Sequence, residues 1–225
     1  MIEIGSILEV EKHIDGLNAV IFDLDDTLYS EKEYVRSGYR KIAEHFGKPM
    51  LAEQMWAVFE RGGRAIDEVL DTHGLEAHKE EALHIYRFQE PEIHLYSGVA
   101  ELLARIRRTK KVGIITDGRP EGQRAKLRAL GLCAMVDEII VTDELGGVVF
   151  RKPNEAAFRL MQERLRQSYE KMVYIGDNTK KDFIAPEKLG MKWIWFNNPE
   201  GLYKWGKDNE HSISDTFRFQ INSGS

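Results

Sequence analysis

The chain of 225 residues has one cysteine, Cys133. A single thiol excludes an intramolecular disulfide and a cysteine-rich zinc site, and the sequence predicts a core thiol there. No apolar stretch approaches the length of a membrane-spanning helix, and no opening segment combines a basic start, an apolar run and a cleavage site. The expectation is a cytoplasmic protein without a membrane partner. Basic excess is missing too: the formal net charge of −5 leaves no electrostatic footprint for nucleic acid. The one basic cluster, Arg105, Arg107, Arg108, Lys110 and Lys111, reads as the solvated end of a helix, where cations suit the dipole. Internal repeats and long low-complexity tracts are absent.

What is present begins with Ala19, Val20, Ile21 and Phe22, a short buried strand by its β-branched and aromatic content. Asp23, Asp25 and Asp26 follow, then Thr27. Side chains two apart on an extended segment leave the same face, so Asp23 and Asp25 project together from the strand's carboxyl end. Like charges so placed need a shared proton, a bound cation or both. An isolated acidic run after a strand is ordinarily a solvated turn. The rest of the chain argues against that reading.

From Ser30 to about Glu92 the sequence offers amphipathic pieces and no strand: Glu33–Phe46, Leu51–Arg61, Ala65–Thr72 and Glu76–Gln89, punctuated by Gly47, Pro49, Gly62, Gly63 and Gly74. Tyr39, Phe46, Met55, Trp56, Phe59, Tyr86 and Phe88 read as its core. His73, His78 and His84 stand five and six apart, which does not stack them on one helical face, so they read as surface residues. Arg61 and Arg64, flanking two glycines, read first as a polar turn and second as an anion receptor.

From Gly98 the pattern alternates: helix Val99–Arg108, strand Lys111–Thr116, helix Pro120–Leu130, strand Glu138–Thr142, helix Asn154–Gln167, strand Met172–Gly176, helix Lys180–Leu189, strand Lys192–Phe196. Such alternation implies an α/β fold, a three-layer, Rossmann-like parallel sheet with an inserted α-helical segment. The expected division is 1–29 core, 30–93 helical insert, 94–225 core. Residues 1–18 predict a short helix, and the tail from Asn197 holds scattered aromatics. Ligands belong at the strands' carboxyl ends. There stand Asp23 and Asp25, then Thr116, Asp117 and Gly118, then Thr142, Asp143 and Glu144 with Arg151 and Lys152 following, then Asp177 and Asn178 with Asp182 close behind.

These residues resemble the haloacid dehalogenase superfamily. Asp23 to Thr27 fits its Asp-x-Asp-x-Thr motif, Thr116 the second, Lys152 before Pro153 the third, and Gly176 to Asp182 the fourth. The resemblance runs from Val20 to about Phe196 and puts the insert where many members carry a cap over the site. It implies a phosphatase with Asp23 as nucleophile, forming an aspartyl-phosphate, and Asp25 as general acid and base. It implies Mg2+ held by Asp23, the main-chain carbonyl of Asp25 and Asp177. Thr116, Asp117, Gly118 and Lys152 fall at the phosphoryl oxygens, the latter also catalytic, with Asp182 and Asn178 behind the metal site. The implied partner is a small phosphate ester, not nucleic acid. Asp25 favours ester over halide, since a halide leaves without a proton. A 2-haloacid dehalogenase and a sugar phosphomutase are alternatives within the family. A non-catalytic phospho-acceptor or binding module is the alternative outside it. Asn178, Lys181 and Asp26 depart mildly from the usual motif residues.

Overall fold

Ala19–Phe22 forms a strand with all four residues buried. It lies inside a six-stranded sheet in a computed structural model that describes residues 2–202. In chain order the elements are β1 (Ile2–Ile4), β2 (Ala19–Phe22), α1 (Glu31–His45), α2 (Met50–Glu60), α3 (Ala65–Thr72), α4 (Lys79–Arg87), α5 (Val99–Arg107), β3 (Lys111–Thr116), α6 (Pro120–Ala129), α7 (Leu132–Met135), β4 (Glu138–Val141), α8 (Ala156–Leu165), β5 (Met172–Gly176), α9 (Ile184–Lys188) and β6 (Lys192–Phe196). Two compact units result. One holds the described residues up to Ser30 with His94–Gly201, the other is built on Glu31–Ile93.

In the first unit the strand order is β1-β6-β5-β2-β3-β4, and every pair is parallel. Phe22 pairs with Ile114 of β3 and Ile175 of β5, so these three strands end side by side. Fully parallel sheets are covered on both faces, which explains why β2 and β5 are buried at every position. Ile21, Ile115, Phe158, Met161 and Tyr174 belong to one core cluster, with the rings of Phe158 and Tyr174 edge to face at 5.0 Å.

Three expectations are corrected here. Residues 2–4 are an edge strand on β6 where none was expected, and the short helix expected within residues 1–18 follows as a 3-10 helix over Ile7–His13. Three residues are too few to show a period of two, and pairing with β6 supplies the structure. The helix expected over Lys180–Leu189 is only Ile184–Lys188, because the segment before it is drawn into a turn in which Asp182 accepts the Asn178 N–H at 3.0 Å. Cys133, on the short α7, is exposed and not a core thiol. The tail aromatics Tyr203, Trp205, Phe217 and Phe219 lie outside the described residues.

The second unit packs α1 to α4 around Tyr39, Leu51, Met55, Phe59, Leu70 and Tyr86, all buried. Phe88, expected there, is 55% exposed at the end of α4. The histidines are engaged locally, His73 with Gln54 at 2.6 Å and His78 with Glu81 at 2.8 Å. Arg61 pairs with Glu68 at 2.5 Å and Arg64 with Asp67, which favours the turn reading of this segment. The Tyr39 hydroxyl is buried and has no hydrogen-bond partner among the described residues. An orphaned buried hydroxyl costs about 1–3 kcal/mol. Tyr39→Phe is therefore expected to raise stability by about 1 kcal/mol, read as a higher urea midpoint at unchanged slope. A lower midpoint would show that the hydroxyl is satisfied in solution. No helix among the described residues is long and apolar enough to cross a membrane.

Candidate active site

β2 ends at Phe22, and the Asp23 N–H continues its ladder to the Ile175 carbonyl at 2.8 Å. That bond fixes the Asp23 backbone at the meeting point of β2 and β5. Its side chain, 6% exposed, accepts from Lys152 Nζ at 2.7 Å. Lys152 has a fully buried side chain held also by Asp182 Oδ1 at 2.9 Å and the Tyr174 hydroxyl at 2.8 Å. Burial alone would lower the Lys152 pKa. Asp182 and Asp23 outweigh it and hold the ammonium well above its ordinary value. The segment carrying Lys152 is pinned by a two-pronged Arg151–Asp143 pair, both bonds 2.7 Å, and by the Lys152 N–H donating to Asp117 Oδ1 at 3.0 Å.

Asp23, Asp177 and Asp182 form one buried group whose ligand atoms lie within 4.8 Å of one another. Burial raises Asp23 to about 6 against the pull of Lys152, with Asp182 adding to the rise. Asp177 is pushed well above the carboxylate range by burial and by Asp182, Asp26 and Asp23. Three buried carboxylates this close, two of them raised, are an oxygen-only donor set that fits a hard divalent cation. Both Asp182 oxygens already have neighbours, Lys152 and the Asn178 N–H. Gly176 leaves the room for that carboxylate, since an added Cβ there would collide with Asp182 Oδ2. The Asn178 side chain accepts from the Lys180 N–H at 3.1 Å.

Asp25 turns to different partners. Lys126 Nζ stands 2.7 Å from Oδ1, the Tyr29 hydroxyl donates to the same oxygen, and Gln123 Nε2 donates to Oδ2 at 3.0 Å. Burial would raise this carboxyl, but Lys126, Tyr29 and Gln123 outweigh it and hold it at about 2. Asp26, between these residues and Thr27, adopts φ 53°, a left-handed conformation that Gly, Asn and Asp accept most readily. This explains its departure from the usual motif residue.

Thr116 ends β3 with a buried hydroxyl that has no hydrogen-bond partner among the described residues. Asp117 faces inward, accepting from Lys181 at 2.6 Å and from Thr142 at 3.1 Å. So used, its carboxylate braces the loop and leaves any anion contact at this position to the main chain. Burial pushes Asp117 up, and Lys181 with Lys152 more than reverses it, holding the carboxyl far below its ordinary value. A carboxyl depressed on folding stabilises above its unfolded pKa, about 3.9, and that contribution is lost as pH falls through the folded value. Asp117→Asn is expected to cost about 1–3 kcal/mol at pH 7, with the deficit shrinking as pH falls below about 4. Urea midpoints at both pH values check it, and a deficit that does not vary with pH would reject it.

Sequence reasoning named Asp23, Asp25, Thr116, Lys152, Asp177 and Asp182, and they gather at adjoining strand ends. It did not name Gln123, Lys126 or Tyr174. The helical signal for the first two was legible: 123 and 126 stand in register with the buried Leu127 and Leu130 of α6 and its end, so polar residues occupy core-facing positions. Tyr174 gave no signal beyond a buried strand aromatic.

A family model for haloacid dehalogenase-like hydrolases matches residues 17–190. A glyceraldehyde 3-phosphate phosphatase of Methanocaldococcus jannaschii is 26% identical over 216 residues, covering 87% of this chain and 91% of the relative. The pyrimidine 5′-nucleotidase YjjG of Escherichia coli K12 is 24% identical, covering 86% and 95%. The fold matches that of the Bacillus subtilis HAD-hydrolase YfnB, solved bound to magnesium, at a TM-score of 0.60 and 20% identity over 91% of this chain and 98% of that one. With a family model matching residues 17–190, most of its length, the chain belongs to the haloacid dehalogenase-like hydrolases.

Proposed function

We propose that the chain is a magnesium-dependent phosphomonoester hydrolase that acts on a small phosphorylated metabolite through an aspartyl-phosphate intermediate. The observation that carries the reading is the buried Asp23–Lys152 contact, with the Thr116 hydroxyl at the end of the adjoining strand left without a partner among the described residues. Asp23 attacks phosphorus and expels the alkoxide, and water then cleaves the acyl phosphate. Lys152 and the Thr116 hydroxyl hold the phosphoryl oxygens, assisted by main-chain N–H groups at Leu24 and Gly118. Asp25 gives a proton to the leaving oxygen and later takes one from the attacking water. In the ligand-free site Asp25 is ionised, so it gains that proton with the substrate, whose dianion adds negative charge beside it. Asp23 and Asp177, with the Asp25 main-chain carbonyl, are the residues to hold magnesium, and Asp182 braces Lys152. When bound, the ion neutralises charge on the carboxylates and the phosphoryl group.

The relatives act on a triose phosphate and on pyrimidine nucleotides, which supports a small alkyl ester as substrate. The test is phosphate release from glyceraldehyde 3-phosphate, pyrimidine nucleoside 5′-monophosphates and p-nitrophenyl phosphate, with magnesium and again after chelation. Turnover that chelation abolishes and magnesium restores is the expected result. Absence of phosphate release from all of them, or halide release from a 2-haloacid, overturns the reading.

A further inference from the structure

Lys126 is a lysine in the wrong place for a surface helix. Only 5% exposed, it lies on α6 one turn after Gln123, which is equally buried. Lysine is almost never buried without a partner, and its partner is Asp25, in a pair whose side chains are 7% and 11% exposed. As a stabilising device such a pair is poor, since apolar residues of the same volume commonly do as well or better. Its geometry has a more specific consequence. Lys126 and Tyr29 both donate to Oδ1, while among the described residues Oδ2 meets only the Gln123 amide. The same amide donates to the Asp117 carbonyl at 2.5 Å, which ties the carboxylate to the loop after β3. Gly118 makes this possible: it adopts φ 140°, and a Cβ there would lie 2.7 Å from Gln123 Nε2.

We infer that Lys126 and Gln123 are positioning residues that fix the Asp25 carboxylate so that Oδ2 alone exchanges protons with the leaving oxygen and the attacking water. This rests on the phosphatase reading and deepens it. With Oδ1 saturated by an ammonium and a phenol, the acid proton resides on Oδ2. It passes to the ester oxygen as the P–O bond breaks, and a proton from water returns to Oδ2 as the acyl phosphate is hydrolysed. The substrates that gain most from such a device are alkyl phosphates, whose leaving oxygen is strongly basic. Aryl and acyl phosphates depart without help.

The experiment compares kcat/KM, which reports the steps through departure of the leaving group, for glyceraldehyde 3-phosphate and p-nitrophenyl phosphate. Should another alkyl ester in the substrate panel prove faster, that ester replaces the first. Lys126→Met is expected to lower kcat/KM for the alkyl ester about 10- to 100-fold and for the aryl ester less than about threefold. Lys126→Arg restores most of the alkyl activity. Added to Asp25→Asn, Lys126→Met changes kcat/KM less than about threefold, because the lysine acts through a group already removed. Equal losses on both esters in a folded Lys126→Met protein, or additive losses with Asp25→Asn, overturn the inference. If Lys126→Met does not fold, Gln123→Leu decides by the same alkyl-to-aryl ratio. Wild-type protein inactive on both esters overturns the phosphatase reading itself, whereas active wild type with an unchanged ratio in the variants overturns only the positioning role.

Discussion

Asp23→Asn is expected to abolish turnover, by at least about 10⁴-fold, while leaving the fold intact or firmer. The amide oxygen can still accept the Lys152 ammonium that sits 2.7 Å from Asp23 Oδ1, so the buried lysine keeps this neighbour. What is lost is the nucleophilic carboxylate. The stability sign follows from the direction of the pKa. Burial, reinforced by Asp182 and opposed by Lys152, raises Asp23 to about 6. A group raised on folding contributes stability that is complete below its unfolded value, about 3.9, and is lost as pH rises through the folded one. At pH 7.5 in chelator the ionised carboxylate therefore costs stability that an amide does not. The variant should be more stable there by on the order of 1–3 kcal/mol, with the difference vanishing near pH 4. Urea midpoints at the two pH values and phosphate release with magnesium check both halves. Substantial residual turnover would remove Asp23 as the nucleophile.

The strand ends were legible because the parallel sheet is written locally. Each strand is a short β-branched run, and Asp23, Thr116 and Asp177 stand at or one residue past its end, so finding the run finds them. Asp23, Thr116 and Asp177 needed no tertiary information beyond strand order. Lys126 and Gln123 needed it: they sit on a helix, where polar residues are ordinarily solvated, and only the crossover from β3 lays that helix beside the loop after β2. Tyr174 was hidden for the opposite reason. A tyrosine inside a buried strand is explained by packing alone, and its hydroxyl acquires meaning only once Lys152, 22 residues earlier, reaches it at 2.8 Å. Edges were illegible where the partner makes the element, as at Ile2–Ile4, whose strand exists through β6. Asp117 was named for its place after β3, and its carboxylate went to Lys181, a residue the sequence marked only as a departure from the family pattern.

Lys152→Met is the second large effect, and it acts on stability and rate together. The Lys152 side chain is wholly buried against Asp23 at 2.7 Å and Asp182 at 2.9 Å. Removing one partner of a buried ionic group leaves charge uncompensated and costs about 3–5 kcal/mol, or roughly 10 °C in Tm for a chain of this size. The deficit should depend on pH in a stated direction. The wild-type ammonium is held well above its ordinary pKa despite burial, so it stays charged from pH 5 to 8. In the variant, Asp23 loses the cation that favoured its ionised form, and its pKa rises further. Protons then substitute for the missing ammonium as pH falls, so in chelator the gap to wild type narrows from pH 8 to pH 5. Turnover does not recover in parallel, because a protonated Asp23 is no nucleophile and the Lys152 ammonium is no longer there to hold the phosphoryl oxygen; a loss of at least about 10²-fold in kcat/KM is expected at both pH values. Thermal melts at the two pH values, paired with phosphate-release assays, separate the two effects. A variant as stable as wild type at pH 8 would mean that the acidic group is not held together by this lysine.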